Sequence, residues 1–268
     1  MMLLAIDVGN TQTVAGVFLG ESLLHQWRLS TVRTATLDEL AAQHDAMLHL
    51  RGASLSDMDA VVVSSVVPSL TASYRALADR YLDEPALVIG PGVRTGMPIA
   101  IDNPHEVGAD RIANAVAAYA RFGGPCIVVD FGTATNFDCV SADGRYMGGA
   151  ITPGIEVSME ALTSRAARLL RIELVEPPSV IGRSTVSALQ SGILYGAVAM
   201  VDGLTARLKS ELGDDAVVVA TGGLSRLIVR LSDQIDEHEP NLTLEGLRIV
   251  YERNAHAGDI GDRRGRTA

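Results

Sequence analysis

Hydrophobic and polar positions along this chain fall into two rhythms. Leu3-Leu4-Ala5-Ile6, Ala60-Val61-Val62-Val63, Cys126-Ile127-Val128-Val129 and Ala216-Val217-Val218-Val219-Ala220 are short unbroken apolar runs, the mark of strands buried on both faces. Between them, apolar residues recur three and four apart. Thr36-Leu37-Asp38-Glu39 has the spacing of a capping box and Leu40, Met47 and Leu48 form a stripe, which predicts a helix over 36–50. Helices are also expected over 69–82, from about 110 onward (Ile112, Val116, Tyr119), over 156–170, through a mostly buried run at 187–212, and over 243–252. Further strands are expected at 13–18, 23–30, 86–89 and 144–151. This alternation predicts mixed sheets covered by helices, with ligands outside the carboxyl ends of the strands.

The first apolar run ends in a carboxylate, Asp7, and then turns through Gly9-Asn10-Thr11 into a second β-rich stretch that starts near Thr13-Val14. A carboxylate beside the backbone N–H groups of a glycine turn suits a phosphate with its metal ion; an ordinary hairpin has the same turn chemistry. The pattern recurs at Asp130-Phe131-Gly132-Thr133-Ala134-Thr135. Two copies half a chain apart predict two similar lobes, each aiming a hairpin turn into a shared cleft. Thr221-Gly222-Gly223 lies between a strand and a helix, where it either lets backbone approach a flat ligand or simply makes a tight helix start. Asp110-Arg111 falls near the start of a helix, where a carboxylate can also serve only to complement the helix dipole.

Composition narrows the picture. At 268 residues the near-midpoint repeat favours two domains, 1–118 and 119–268, with a charged tail from about 258 expected to be disordered. A formal net charge of −10 without a dense Lys/Arg stripe argues against nucleic acid, and obliges any anionic substrate to be met by local donors and a cation. Cys126 and Cys139 read as small buried residues on adjacent strands. With no apolar run of membrane-spanning length and no leader-like start, no membrane partner is expected and the location expected is cytoplasmic. The six histidines show no metal-ligand spacing, and surface or incidental roles are expected of them. Trp27 reads as packing. Arg165, Arg168 and Arg171 share a helix face that is either solvated or an anion-steering or dimer contact.

Asp7-Val8-Gly9-Asn10-Thr11, Gly108-Ala109-Asp110-Arg111, Asp130-Phe131-Gly132-Thr133-Ala134-Thr135, Pro153-Gly154-Ile155 and Thr221-Gly222-Gly223 occur in the order and spacing of the type III pantothenate kinases. The resemblance runs from residue 3 to about 254, and the Gly-Ala-Asp-Arg motif makes it narrower than the acetate and sugar kinase/Hsp70/actin superfamily. It implies two lobes of the actin-like ATPase (ribonuclease H-like) type with a nucleotide cleft between them. It also implies ATP-dependent phosphorylation of the 4′-hydroxyl of pantothenate in coenzyme A biosynthesis. By resemblance, Asp7, Val8, Gly9, Asn10, Thr11, Gln12, Thr13 and Val14 form the ATP phosphate loop, with Asp7 on Mg²⁺ through water. Gly132, Thr133, Gly222 and Gly223 also meet ATP. Asp130 binds the monovalent cation, K⁺ or NH₄⁺. Gly108, Ala109, Asp110 and Arg111 with Thr185 form the pantothenate site, Asp110 being the proton acceptor. The family expectation is a homodimer with substrate and cation sites at its interface and a dimer helix in the second lobe. Where many members carry a tyrosine nine residues before the aspartate, this chain has Ile101. A low-activity ligand-binding regulator and a superfamily phosphohydrolase are the alternatives on the same scaffold.

Overall fold

The computed structural model describes residues 1–165 and 172–262. The chain forms two compact units. One holds Met1–Pro98, Asp102–Ala117 and the chain from Leu242 on; the other holds Ile99–Ile101 and Ala118–Asn241.

In the first unit, β1 (Met2–Val8), β2 (Gln12–Leu19) and β3 (Ser22–Ser30) form an antiparallel meander. β4 (Ala60–Ser65) joins β1 in parallel and the two-residue β5 (Leu87–Val88) joins β4, giving the order β3-β2-β1-β4-β5. Helices α1 (Leu37–His49) and α2 (Pro68–Tyr81) pack their apolar stripes on one face. Leu40, Leu48, Leu70 and Leu77 meet Leu4, Ile6, Val17, Val61 and Val63 there, in a core of buried aliphatics. The capping box is present: Thr36 N–H donates to Glu39 Oε2 at 2.8 Å while Thr36 Oγ1 accepts from Glu39 N–H at 3.3 Å. Each such pair satisfies two N–H groups the helix cannot.

The second unit repeats this wiring. β6 (Cys126–Phe131), β7 (Ala134–Val140) and β8 (Tyr146–Pro153) form the meander, and β9 (Val217–Gly222) and β10 (Glu237–His238) add in parallel, in the order β10-β9-β6-β7-β8. Helices α4 (Ile155–Arg165), α5 (Thr185–Leu212) and α6 (Ser225–Val229) cover Ile127, Val129, Phe137 and Ala220. Helix α3 (Ala109–Phe122) precedes β6. Cys126 and Cys139 are buried free thiols on β6 and β7, as expected.

Four differences from the sequence expectations have physical causes. The closing helix α7 (Leu242–Asp262) lies in the first unit, not with 119–241, and packs against β1, β2 and β4. Leu244 Cδ1 stands 2.8 Å from where a Cβ on Gly16 would be, so the bare strand at Gly16 is what seats it. Helix α7 also runs past 258, through Asp262, where a disordered tail was expected; 263–268 lie outside the described residues. Helix α5 is not buried all round: Ser191, Leu194, Val198, Val201 and Thr205 form its one buried stripe, spaced three and four apart, and small residues elsewhere raised its hydropathy without being covered. His44 is fully buried rather than a surface residue, accepting from Trp27 Nε1–H at 3.3 Å and lying 2.9 Å from the Tyr74 hydroxyl. The expectations for 166–170, and for the Arg168 and Arg171 face, fall in part outside the described residues.

Candidate active site

The two Asp-x-Gly corners occupy the same place in their sheets. Asp7 pairs in register with Val14 on the antiparallel side and Ser64 on the parallel side; Asp130 pairs with Asn136 and Thr221. Each is the penultimate residue of a central strand, at its carboxyl end. The turns that follow differ by one residue. Gly9 N–H donates to the Gln12 carbonyl at 3.0 Å across a three-residue turn, and Gly132 N–H to the Ala134 carbonyl at 3.0 Å across a two-residue one. Asn10, Thr11 and Gln12 are exposed on the first turn, whereas Val8 and Thr13 are buried beneath it and Val14 partly so.

The end of β3 clamps the first turn. Thr31 N–H donates to the Thr11 carbonyl at 2.9 Å, and Thr31 Oγ1 to the Gly9 carbonyl at 2.9 Å. Arg28 Nη1 donates to Gln12 Oε1 at 2.8 Å and Arg33 Nη2 to Asn10 Oδ1 at 3.1 Å. These residues escaped the sequence reading, since their signal is weak: one arginine near the end of a strand, and a threonine and a second arginine just past it, in an acidic chain.

Also in the first unit, Gly108, Ala109, Asp110 and Arg111 open α3. Gly108 caps the helix by accepting from Ile112 N–H at 3.1 Å, and Asp110 Oδ1 accepts from Arg111 N–H at 2.9 Å. A Cβ on Gly108 would fall within the envelope of Asp110 Oδ1, so the glycine is what lets the carboxylate occupy its place. Burial pushes the Asp110 carboxyl above its ordinary value, opposed by the Arg111 backbone N–H and guanidinium. That combination is what a general base needs: partly desolvated yet oriented. Thr243 of α7 donates to the fully buried Asn114 at 2.7 Å, and the bare Gly246 backbone rests on Ala113, so α7 braces the first turns of α3.

In the second unit, Gly222 lies against Asp130. It has φ +92°, and a Cβ there would stand 2.5 Å from Asp130 Oδ1 and 2.6 Å from the Phe131 nitrogen. Gly154 abuts the second turn equally closely, 2.5 Å from its Cβ position to the Gly132 carbonyl, and donates to the Thr133 carbonyl at 3.1 Å. Asp130, Gly132, Thr133 and Gly222 are thus gathered at one end of the sheet, with Gly223 exposed beyond them. Ser225 Oγ donates to the Gly222 carbonyl at 2.7 Å and lies 2.8 Å from His238 Nε2, a strut under this turn. Thr185 is exposed on the first turn of α5, whose cap is Ser184, its Oγ accepting from the Ser187 N–H at 3.1 Å. Ile101 packs its Cγ2 on Gly148.

Among the described residues no three His, Cys, Asp or Glu side chains gather into a metal-holding group, and no helix is long and apolar enough to cross a membrane. The model of the family described as type III pantothenate kinase matches residues 3–207. A type III pantothenate kinase of Moorella thermoacetica is 53% identical over 253 residues, covering 94% of this chain and all of that one. Among solved structures, a Baf family protein from Campylobacter jejuni superposes with TM-score 0.59 at 19% identity, covering 94% of this chain and 99% of that one. A ROK hexokinase from Thermus thermophilus gives 0.51 at 15% identity, covering 96% and 100%. The two duplicated sheets therefore belong to the sugar kinase and actin-like ATPase fold.

Proposed function

The chain belongs to the type III pantothenate kinase family, and on that premise we propose how its own residues carry the reaction. It phosphorylates pantothenate, in coenzyme A biosynthesis, at the expense of ATP. The observation that carries the assignment of the base is Asp110, held at the head of α3 by the Arg111 N–H, given room by Gly108, and raised in basicity by burial.

In the reaction, the 4′-hydroxyl oxygen of pantothenate bonds to the γ-phosphorus, the bond from that phosphorus to the β–γ bridging oxygen breaks, and ADP leaves. Asp110 takes the hydroxyl proton. Such transfers depend on positioning and charge neutralisation far more than on covalent help, which matches a site of turns, hydroxyls and carboxylates. Asp7 to Val14 receive the phosphates in the first unit. Gly132, Thr133, Gly222 and Gly223 serve ATP in the second. Gly108, Ala109, Arg111, Ile101 and Thr185 serve pantothenate, Ile101 offering only hydrocarbon where a hydroxyl would add a bond.

The residues present fit both ions. Asp7, a half-buried carboxylate at the strand end that leads into an exposed turn, suits Mg²⁺, which keeps several waters and takes phosphate oxygens as its other ligands. Asp130 Oδ1 and the Phe131 carbonyl, 2.5 and 2.7 Å from the Cβ position of the bare Gly222, bring hard oxygen donors together, as K⁺ or NH₄⁺ requires. Bound, these ions neutralise phosphate charge. We also assign a homodimer, supported by apolar side chains left in solvent on the second unit: Ile151 at 63% exposure on edge strand β8, with Leu162 and Val186 at the open sides of α4 and α5. A cytoplasmic location goes with this reading.

The experiment is ADP release with and without pantothenate, in K⁺ and in Na⁺. Pantothenate-dependent release that needs K⁺ is expected. Pantothenate-independent release would make the chain a phosphohydrolase, and ligand binding without turnover a regulator.

A further inference from the structure

We propose that Arg28 and Arg33 form a cationic wall for the phosphate chain of the nucleotide at the first turn. This rests on the reading of Asp7 to Val14 as the phosphate loop, and adds to it residues that lie outside that stretch.

The geometry is specific. Both guanidinium groups are exposed, and each spends a donor on the amide oxygen of an exposed turn residue: Arg28 on Gln12 at 2.8 Å, Arg33 on Asn10 at 3.1 Å. An arginine has five N–H donors and no acceptor, so it can bind only the oxygen end of an amide. That fixes which way Asn10 and Gln12 point. Their NH₂ groups face away from the arginines, available to an anion, and each guanidinium keeps further donors of its own. Two amides without the arginines would present either end with equal ease.

The segment that carries them is held at several points. Thr31, between the two arginines, is bonded to the Thr11 and Gly9 carbonyls, and its hydroxyl lies 3.0 Å from that of Thr13. Ser69 of α2 donates to the Arg33 carbonyl at 2.9 Å. The segment is therefore placed relative to the turn by Thr31 and by backbone contacts, independently of the arginines' exposed hydrogen bonds to the two amides. Charge argues the same way. A phosphate chain approaching a protein of net charge −10 at a turn that follows Asp7 meets repulsion unless fixed cations stand beside it. A planar fork matches phosphate oxygens two at a time.

The test is calorimetric titration of the full chain with the non-hydrolysable β,γ-imido analogue of ATP plus Mg²⁺, with adenosine, and with pantothenate, for wild type, Arg28→Ala, Arg33→Ala and the double variant. Each single variant should bind the ATP analogue roughly tenfold more weakly, with a shallower salt dependence, while adenosine and pantothenate affinities and the melting temperature stay at wild-type values. Equal loss for adenosine and the ATP analogue would overturn the proposal, because the arginines would then only be shaping the turn. So would weakened pantothenate binding with the ATP analogue unaffected, since pantothenate carries a carboxylate of its own. If the wild-type chain bound adenosine but gained nothing from the phosphates, the reading of the first turn would fail, and this proposal with it.

Discussion

Gly108→Ala isolates the placement of the carboxylate proposed as the base, Asp110, from its chemistry. The added Cβ would overlap Asp110 Oδ1, the oxygen that accepts from Arg111 N–H at 2.9 Å. Carbon and oxygen do not approach within ordinary contact without one giving way, so the oxygen must retreat by roughly 1 Å. Displacements of that size at a reacting group cost about 10²-fold in rate, and the whole contribution of a general base is about 10²–10⁴-fold. The variant should therefore turn over about a hundredfold more slowly, while the Michaelis constant for ATP, for which other residues are proposed, is unchanged. Stability should fall by no more than about 1 kcal/mol, the difference between glycine and alanine at a helix N-cap. Steady-state kinetics with a thermal melt measure both. The double variant Gly108→Ala/Asp110→Asn is the decisive comparison. Groups that act as one unit do not lose twice, so it should match Asp110→Asn alone. A Gly108→Ala enzyme within threefold of wild type, or a double variant whose losses multiply, would refute the idea that the glycine works by seating Asp110.

Three other outcomes follow from single sites. His44, buried between Trp27 and Tyr74, is held at about 4 by desolvation against an ordinary 6.5; the unfolded chain then takes up its proton first, so stability is complete above about pH 6.5 and falls as pH drops toward 4, by roughly 3 kcal/mol in all. Urea midpoints from pH 7.5 to 4 should show that slope in wild type and a flatter one in His44→Phe; parallel curves would remove His44 as its source. Gly222→Ala puts a methyl 2.5 Å from Asp130 Oδ1 at φ +92°, which should cost about 1–3 kcal/mol of stability and blunt activation by K⁺ as Asp130→Ala does; an unaltered K⁺ titration in both would empty that site of its role. Ser64 is fully buried and its Oγ has no hydrogen-bond partner among the described residues, so Ser64→Ala should leave stability equal or raise it by about 1 kcal/mol. A lowered urea midpoint would show that the hydroxyl is bonded in solution.

Some of this site can be read directly from the chain because it is local. Asp-x-Gly after an apolar run marks a strand end and a turn wherever it occurs, and finding it twice gave the duplicated sheet. The capping box at Thr36 and Glu39, the starts of α2 and α3, and the buried thiols were legible for the same reason: three or four neighbouring residues determine each. What stayed hidden depends on partners far along the chain. The closing helix belongs to the first unit because Gly16 and Gly246, 230 positions apart, are both bare where α7 must approach. The clamp on the first turn comes from Thr31, 22 residues after the Gly9 carbonyl it binds. No periodicity announces either.

The duplication explains why chemistry collects where it does. In both sheets the parallel neighbour of the central strand brings a hydroxyl residue into register with the aspartate, Ser64 beside Asp7 and Thr221 beside Asp130. Central strands of mixed sheets are covered on both faces, so a carboxylate there either has a buried partner, as Asp138 of β7 has in the Tyr146 hydroxyl, or stands at a carboxyl end, where the chain leaves the sheet. The wiring thus puts one carboxylate at the carboxyl end of each central strand, Asp7 and Asp130, followed at once by a turn. The two copies then diverge in what stands next to the carboxylate. Beside Asp130 it is bare backbone, at Gly222, close against the carboxylate and the Phe131 carbonyl. In the first copy it is a longer turn flanked by arginines, which suits an anion. The same wiring, used twice, would therefore serve the proposed cation seat in one unit and the proposed phosphate seat in the other, with the difference set by which side chain, or none, follows the strand.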